Sequence, residues 1–311
     1  MANPWQAENI IESEKALMLI KSQFPELNAS TITLFGSGWD NTAYLINNEY
    51  IFRFPRREVA VNLLMHEMVA LPQLANKLPI AIPNPQWQGE PTKEYPWPFL
   101  GYRILPGHTA CNANLSDEQR VAFVEPLAQF LKVLHHVPIQ AFENIIPGDV
   151  IDRLNVAVRT SRIIALMEEL ESLGLLPHKD ALCNIIEYSQ KLSLLQEKVI
   201  VHGDLYVRHF LIDEYNHLTG IIDWGDIHLN SPAADLAVIH SFLPPHTHVR
   251  FKEIYGPISQ DTWDLARFRA INHCLNLINF GHKSGDHALE REGKLGIDYI
   301  VKSFDNNVKK Q

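Results

Sequence analysis

The chain has 311 residues, 46% hydrophobic and 20% charged, and its 27 Lys and Arg against 36 Asp and Glu leave a formal net charge of -9. That composition belongs to a folded globular protein with room for about two lobes, and it excludes disorder and collagen-like structure. An acidic chain lacks the basic footprint for holding nucleic acid or an anionic membrane, so neither is expected as a partner and a cationic small molecule fits better.

Residues 7 to 23 predict a helix. From Ser30 to Phe54 the pattern turns to short β runs, Thr31 to Phe35, Ala43 to Ile46 and Tyr50 to Phe54, separated by Gly36-Ser37-Gly38 and by Asn47-Asn48. From Glu58 the period is helical, with Val61, Leu64, Met65, Met68 and Leu71 on one stripe that Pro72 is expected to stop. A proline-rich stretch, 79 to 98, leads into a strand from Phe99 to Leu105. Residues 1–105 thus read as a β-rich lobe, and 106–311 as a mainly helical one. In the second lobe Ser116 and Gln119 make a capping box for a helix running to about His136, kinked at Pro126. Helical patterns return at 150 to 174, at 180 to 196 and through most of 233 to 309. Between them one compact β insert spans Lys198 to Trp224, made of Val199 to Val201, His209 to Ile212 and Leu218 to Ile222. The class is α+β, and two such lobes would put a cleft at their join.

Cys111, Cys183 and Cys274 lie far apart with no CxxC pair, which reads as reduced thiols in a cytoplasm. No segment approaches the roughly 20 apolar residues of a membrane span. Glu8, Glu12 and Glu14 stand where a signal peptide would need a basic start and an apolar run.

Inside the β insert, Asp204 and Asp223 sit at the ends of short apolar strands joined by a tight return, which can bring both carboxylates to one edge. Phosphoryl transfer uses such an edge: one carboxylate orients and deprotonates the attacking hydroxyl, and another holds Mg²⁺ against the nucleotide phosphates. The competing reading is a pair of turn-capping aspartates.

His202-x-Asp204 followed by His209, then Ile221-Ile222-Asp223-Trp224-Gly225, resembles the catalytic and metal-binding segments of the aminoglycoside and macrolide phosphotransferases. The resemblance extends in order to Gly36-Ser37-Gly38-Trp39-Asp40-Asn41, to Tyr50-Ile-Phe-Arg-Phe-Pro55, to Glu67, to Gly101-Tyr-Arg-Ile-Leu-Pro-Gly107 and to Ser231-Pro-Ala-Ala-Asp235, covering roughly 30 to 245. It implies a bilobal protein-kinase-like fold and a kinase of small molecules, with ATP or GTP as donor and Mg²⁺ as cofactor. By that resemblance Asp204 is the catalytic carboxylate, Asp223 the main Mg²⁺ ligand and His209 a second ligand. His209 is a departure, because Mg²⁺ prefers oxygen to imidazole. His202 and Asp235 would brace the loop.

In the β-rich lobe, Gly36, Ser37 and Gly38 would let a hairpin tip approach phosphates. Arg53 stands where the kinase pattern has its phosphate-gripping lysine, with Glu67 as its partner, and Arg103 lies on the strand leading to the nucleotide base. Other features read plainly. The histidine pairs His135-His136 and His246-x-His248 lack zinc companions. Asp226, Glu253, Asp261, Asp264 and Asp286 could line an acidic pocket but more simply face solvent, and Trp263, Phe268, His273 and Phe280 read as core. The leading acceptor is an aminoglycoside, a macrolide or a similar compound. An endogenous amino alcohol, sugar or hydroxy amino acid is the alternative, and a nucleotide-binding pseudokinase the third reading, motivated by Arg53 and His209.

Overall fold

The computed structural model describes residues 7–38, 40–192 and 197–308. Trp39, the end of the helical pattern at 193–196 and Lys309 lie outside the described residues. The chain divides into two units, one reaching to Pro106 and including Trp224–Asp226, the other comprising Gly107–Asp223 and the chain from Ile227 onward.

The first unit is built on a five-stranded antiparallel sheet of β1 (Ile32–Ser37), β2 (Asn41–Ile46), β3 (Tyr50–Pro55), β4 (Trp87–Gly89) and β5 (Phe99–Arg103), in the order β1-β2-β3-β5-β4. All six residues of β3 are buried, and Phe54 stacks on Phe99 with ring centroids 4.5 Å apart. Helix α1 (Ser13–Gln23) starts later than the expected residue 7. The preceding residues spend their polar groups elsewhere: the N–H groups of Glu8 and Asn9 donate to the Arg56 carbonyl, and the Ile11 carbonyl accepts from the Tyr44 hydroxyl at 2.7 Å. Helix α2 (Glu58–Ala75) runs through Pro72 instead of stopping there. Proline forfeits one backbone bond and crowds the preceding turn, and burial of Leu71 and Leu74 holds the last turn against that cost.

The second unit holds α3 (Asp117–Val121), α4 (Val124–His135), α5 (Val156–Ser172), α6 (Lys179–Ser189), α7 (Ala233–Phe242), α8 (His248–Tyr255), α9 (Gln260–Ser284) and α10 (His287–Val308). The Ser116–Gln119 capping box is formed. The kinked helix expected beyond it is two helices, broken at Ala122 and Phe123, because Pro126 has no N–H to return to the Ala122 carbonyl. The expected β insert is two small antiparallel sheets. β7 (Val199–Val201) pairs with β10 (His228–Asn230), and β8 (Phe210–Ile212) lies between β6 (His108–Thr109) and β9 (Leu218–Ile221). Strands of two or three residues carry no readable period, so β6 and β10 were invisible in the sequence. Arg120 of α3 forms a bidentate ion pair with Glu292 of α10 at 2.8 and 2.9 Å, both side chains buried. Among the described residues no helix is long and apolar enough to cross a membrane.

Candidate active site

In the second unit the chain leaves β7 through His202-Gly203-Asp204. One buried carboxylate catches this turn from below: Asp235, in the first turn of α7, accepts from the His202 N–H at 2.8 Å and from the Gly203 N–H at 2.9 Å. His135 of α4 approaches the same carboxylate at 3.3 Å. Burial opposes ionisation of Asp235, but the His135 hydrogen bond and charge, with His202 and the Gly203 N–H, outweigh it and hold the carboxyl below its ordinary range. The His202 ring lies between two backbone groups. Nε2 faces the Ile222 carbonyl at 3.0 Å, and Nδ1 faces the Asp204 N–H at 3.3 Å. A neutral ring with its proton on Nε2 satisfies both, in accord with the lowering of its pKa by burial and by the nearby His209. The bracing expected of His202 and Asp235 is therefore made of identifiable hydrogen bonds. It leaves the Asp204 side chain one-third exposed, 33%.

His209 ties this turn to the second acid. Its Nδ1 lies 2.8 Å from the Asp204 carbonyl and its Nε2 3.3 Å from Asp223 Oδ2. Nδ1 must donate to the carbonyl, so in a neutral ring Nε2 turns a lone pair toward a carboxylate. Two acceptors in that arrangement call for a proton or a cation between or beside them. Burial would lower the His209 pKa, but the hydrogen bond to Asp223 and the charges of Asp223 and Asp204 outweigh it and raise it. Asp223 follows β9 with φ of +65°, a left-handed conformation that few non-glycine residues adopt. Its side chain is 56% exposed. An outward carboxylate fits Mg²⁺, which takes one or two protein carboxylates and fills its remaining positions with phosphate and water oxygens. The imidazole fits it less well. Among the described residues no cluster of three or more His, Cys, Asp or Glu side chains could hold a metal ion.

In the first unit, Arg53 of β3 reaches Glu67 of α2 at 2.6 Å, with side-chain exposures of 11% and 1%. The tip between β1 and β2 is tied down by Arg56, whose Nη1 donates to Ser37 Oγ at 2.8 Å and to the Gly38 carbonyl at 2.6 Å. Arg57 pairs with Asp40. A Cβ added at Gly36 would meet nothing within 4 Å, and at Gly38 its nearest neighbour would be the Asn41 carbonyl oxygen at 3.9 Å. Neither glycine has a positive φ. Arg103 stands apart from the Arg53–Glu67 pair. It is paired across the sheet with Tyr50, its guanidinium lies over the Tyr50 ring at 5.1 Å, and it is 3.5 Å from Glu49.

A family model described as the phosphotransferase enzyme family (APH) matches residues 31–271. The chain belongs to that family. Solved phosphotransferase structures share its fold. A GDP complex of wild-type aminoglycoside 2'-phosphotransferase-IIIa is 22% identical with a TM-score of 0.66, the match covering 96% of this chain and 100% of that one. A GDP and kanamycin complex of APH(2")-IIIa is 24% identical with a TM-score of 0.64, covering 93% and 98%. The macrolide 2'-phosphotransferase MphH of Brachybacterium faecium, as apoenzyme, is 20% identical with a TM-score of 0.63, covering 90% and 97%. Among curated proteins, the uncharacterized protein YcbJ of Bacillus subtilis (strain 168) is 30% identical over 64 residues, so the match spans only 21% of either chain. As a phosphotransferase with a kinase-like fold, a β-rich first part and a mostly helical second part, the chain agrees with what its motifs imply.

Two further side chains stand beside Asp204. Arg269 Nη2 lies 4.0 Å and His273 Nδ1 3.8 Å from Asp204 Oδ1. Both come from α9, where an i, i+4 spacing puts them on one face. His273 is expected in the core with Trp263, Phe268 and Phe280. Trp263 and Phe268 are buried, whereas Phe280 is exposed and His273 turns to the acid. That spacing was the available signal. Of the acids that could line an acidic pocket but more simply face solvent, Asp264 is instead buried and pairs with Arg267, while Asp286 pairs with Arg208 and Glu253 with Arg250.

Proposed function

We propose that this phosphotransferase moves the γ-phosphoryl group of ATP or GTP, with Mg²⁺, to a hydroxyl of a small molecule. The observation that carries the reading is the single imidazole of His209 spanning the Asp204 carbonyl and the Asp223 carboxylate, which makes the two acids parts of one braced loop system. In the proposed reaction the acceptor oxygen attacks the γ-phosphorus, the bond from phosphorus to the β,γ-bridging oxygen breaks, and the nucleoside diphosphate leaves. Asp204, partly exposed, orients the acceptor hydroxyl and takes its proton as the new bond forms. Asp223 with His209 would hold Mg²⁺. When bound, the ion neutralises charge on the phosphate oxygens. Arg53, fixed by Glu67, would clamp phosphate through its planar fork, and the tip from Gly36 to Gly38 would let phosphate approach the backbone closely where no side chain intrudes. Arg103, exposed at the end of β5, would contact the nucleotide less directly.

Aminoglycosides and macrolides are the first acceptors to test, since the named structural neighbours include phosphotransferases for both. An endogenous amino alcohol, sugar or hydroxy amino acid is the second reading. The deciding assay is Mg²⁺-dependent nucleotide consumption with ATP and with GTP across those acceptor classes. Stimulation by one class supports the proposal. Tight nucleotide binding with no stimulation and no Asp204-dependent hydrolysis would favour a pseudokinase instead.

A further inference from the structure

The two side chains that α9 brings to Asp204 address the same oxygen. His273 Nδ1 lies 3.8 Å and Arg269 Nη2 4.0 Å from Oδ1, and among the described residues no hydrogen bond or ion pair reaches Oδ2. Both side chains are held in place: Arg269 Nη2 also lies 3.5 Å from the Gly203 carbonyl, and the His273 ring packs edge-on against Tyr206 with centroids 4.7 Å apart. Burial pushes the His273 pKa down to about 4, so at pH 7 the ring is neutral and carries one N–H. Its surroundings decide which nitrogen holds that proton. Nε2 is buried with no hydrogen-bond partner in the protein, whereas Nδ1 faces a carboxylate. A proton on Nδ1 is drawn by that charge, while a proton on Nε2 would bury an unmade donor and turn a lone pair toward Oδ1.

Neither contact is short enough for a direct hydrogen bond. The groups share the lining of a recess with about 10 Å³ that water can occupy, the order of one molecule. Ser241 of α7 lines it too, and its hydroxyl donates to the Ala237 or Val238 carbonyl, leaving its lone pairs to accept. One water in the recess thus finds two donors, Nδ1–H and Nη2–H, and two acceptors, Oδ1 and Ser241 Oγ.

We propose, on the phosphotransfer reading above, that His273 is a positioning residue for Asp204: protonated on Nδ1 and with Arg269 beside it, it holds Oδ1 through one water and so leaves Oδ2 turned to the acceptor hydroxyl. The last torsion of an aspartate side chain is broad and two-fold, so a carboxylate engaged on neither oxygen presents its lone pairs in many orientations. Engaging one oxygen selects the plane of the group, and proton abstraction depends on that plane. The division of labour is then plain. The braced turn from His202 fixes where the Asp204 backbone lies, and His273 fixes which way its side chain faces without touching the acceptor.

Two measurements test this, the first without turnover. In ¹⁵N NMR of the histidine-labelled protein, the His273 signals, assigned by their loss in His273→Phe, should report a neutral ring protonated on Nδ1 and should shift in Asp204→Asn. A ring protonated on Nε2, or one indifferent to Asp204→Asn, overturns the inference and leaves the kinase standing. The second is Mg²⁺-dependent turnover of ATP and GTP with kanamycin, erythromycin and ethanolamine as acceptors, or with water where none of them stimulates. His273→Phe keeps a ring against Tyr206 and should lower kcat about tenfold, the order of one hydrogen bond, with KM changed less than about twofold. His273→Asn, whose amide nitrogen can stand where Nδ1 stood, should recover part of that loss, and His273→Gln, whose nitrogen stands nearer Nε2, should not. On an Asp204→Asn background the His273 changes should cost nothing further. An equal loss in the Asn and Gln variants, a loss carried by KM, or one that persists without Asp204 overturns the inference, with thermal unfolding checking that each variant folds. Turnover absent or independent of Asp204 with every acceptor removes the kinase reading, and this inference with it.

Discussion

The turn from His202 to Asp204 and the hairpin tip from Gly36 to Gly38 are two short loops that contain glycine, yet the fold treats them differently. The first is over-determined: Asp235 takes two backbone N–H groups, His202 spans two more backbone groups, and His209 holds the next carbonyl. The second is held by the β1–β2 ladder, by the Gly38 N–H on the Asn41 carbonyl and by Arg56, and has open space where a Cβ at either glycine would be. Glycines elsewhere show what packing demands. On α10, a Cβ at Gly293 would lie 2.8 Å from the Cys274 carbonyl oxygen, and one at Gly296 would lie 2.5 Å from the Cys274 sulfur. Nothing of that kind requires glycine at Gly36 or Gly38. The contrast teaches that the turn before Asp204 is fixed by the fold's own hydrogen bonds, whereas no packing contact among the described residues demands glycine at the tip.

The largest expected effect breaks the rigid side of this contrast. Asp235→Ala strips two buried N–H groups and His135 of their acceptor, and should cost on the order of 3 to 5 kcal/mol in denaturant unfolding. A loss below about 1 kcal/mol, within ordinary mutational scatter, would show that the turn is held by something else.

Next comes acidification, which tests whether the core of the second unit holds neutral rings. Burial pushes His248 down to about 4 and lowers His240 well below its ordinary value. The unfolded chain binds protons at these sites first, so stability is fully present above the unfolded pKa near 6.5 and falls as pH drops toward 4. His248 alone should account for on the order of 2 kcal/mol between pH 7 and pH 5. Replacement by phenylalanine should flatten that slope in pH-dependent thermal unfolding. An unchanged slope would contradict a neutral buried ring.

Smallest in stability, and sharpest for the open side, is Gly36→Ala. The fold should lose no more than about 0.5 kcal/mol, while nucleotide affinity, followed by fluorescence titration, should weaken. Unaltered affinity would sever the tip from the phosphates.

Much of this arrangement was legible because it is local. The short β runs from Thr31 to Phe54 are marked off by turn residues, Ser116 and Gln119 signal their own cap, and Asp204, His209 and Asp223 stand in one motif whose strands return tightly. What stayed hidden depends on balances or distances that a linear reading does not weigh. Pro72 failed to end α2 because Leu71 and Leu74 gain more from burial than the helix loses in one hydrogen bond. Pro126 cut a helix in two where a kink was expected. Arg269 and His273 lie more than sixty positions beyond Asp204, and a polar residue on an otherwise apolar helix looks the same in sequence whether it is satisfied in the core or turned to a site.

The most direct measurement separates binding from chemistry at the two acids: Mg²⁺-dependent nucleotide affinity and acceptor-dependent turnover, for the wild type, Asp204→Asn and Asp223→Ala side by side. If Asp204 takes the acceptor proton, Asp204→Asn should lose about 10²-fold or more in turnover while nucleotide affinity and folding stay as in the wild type, and Asp223→Ala should lose the Mg²⁺ dependence of binding as well. An Asp204→Asn enzyme that keeps most of its turnover would contradict the account.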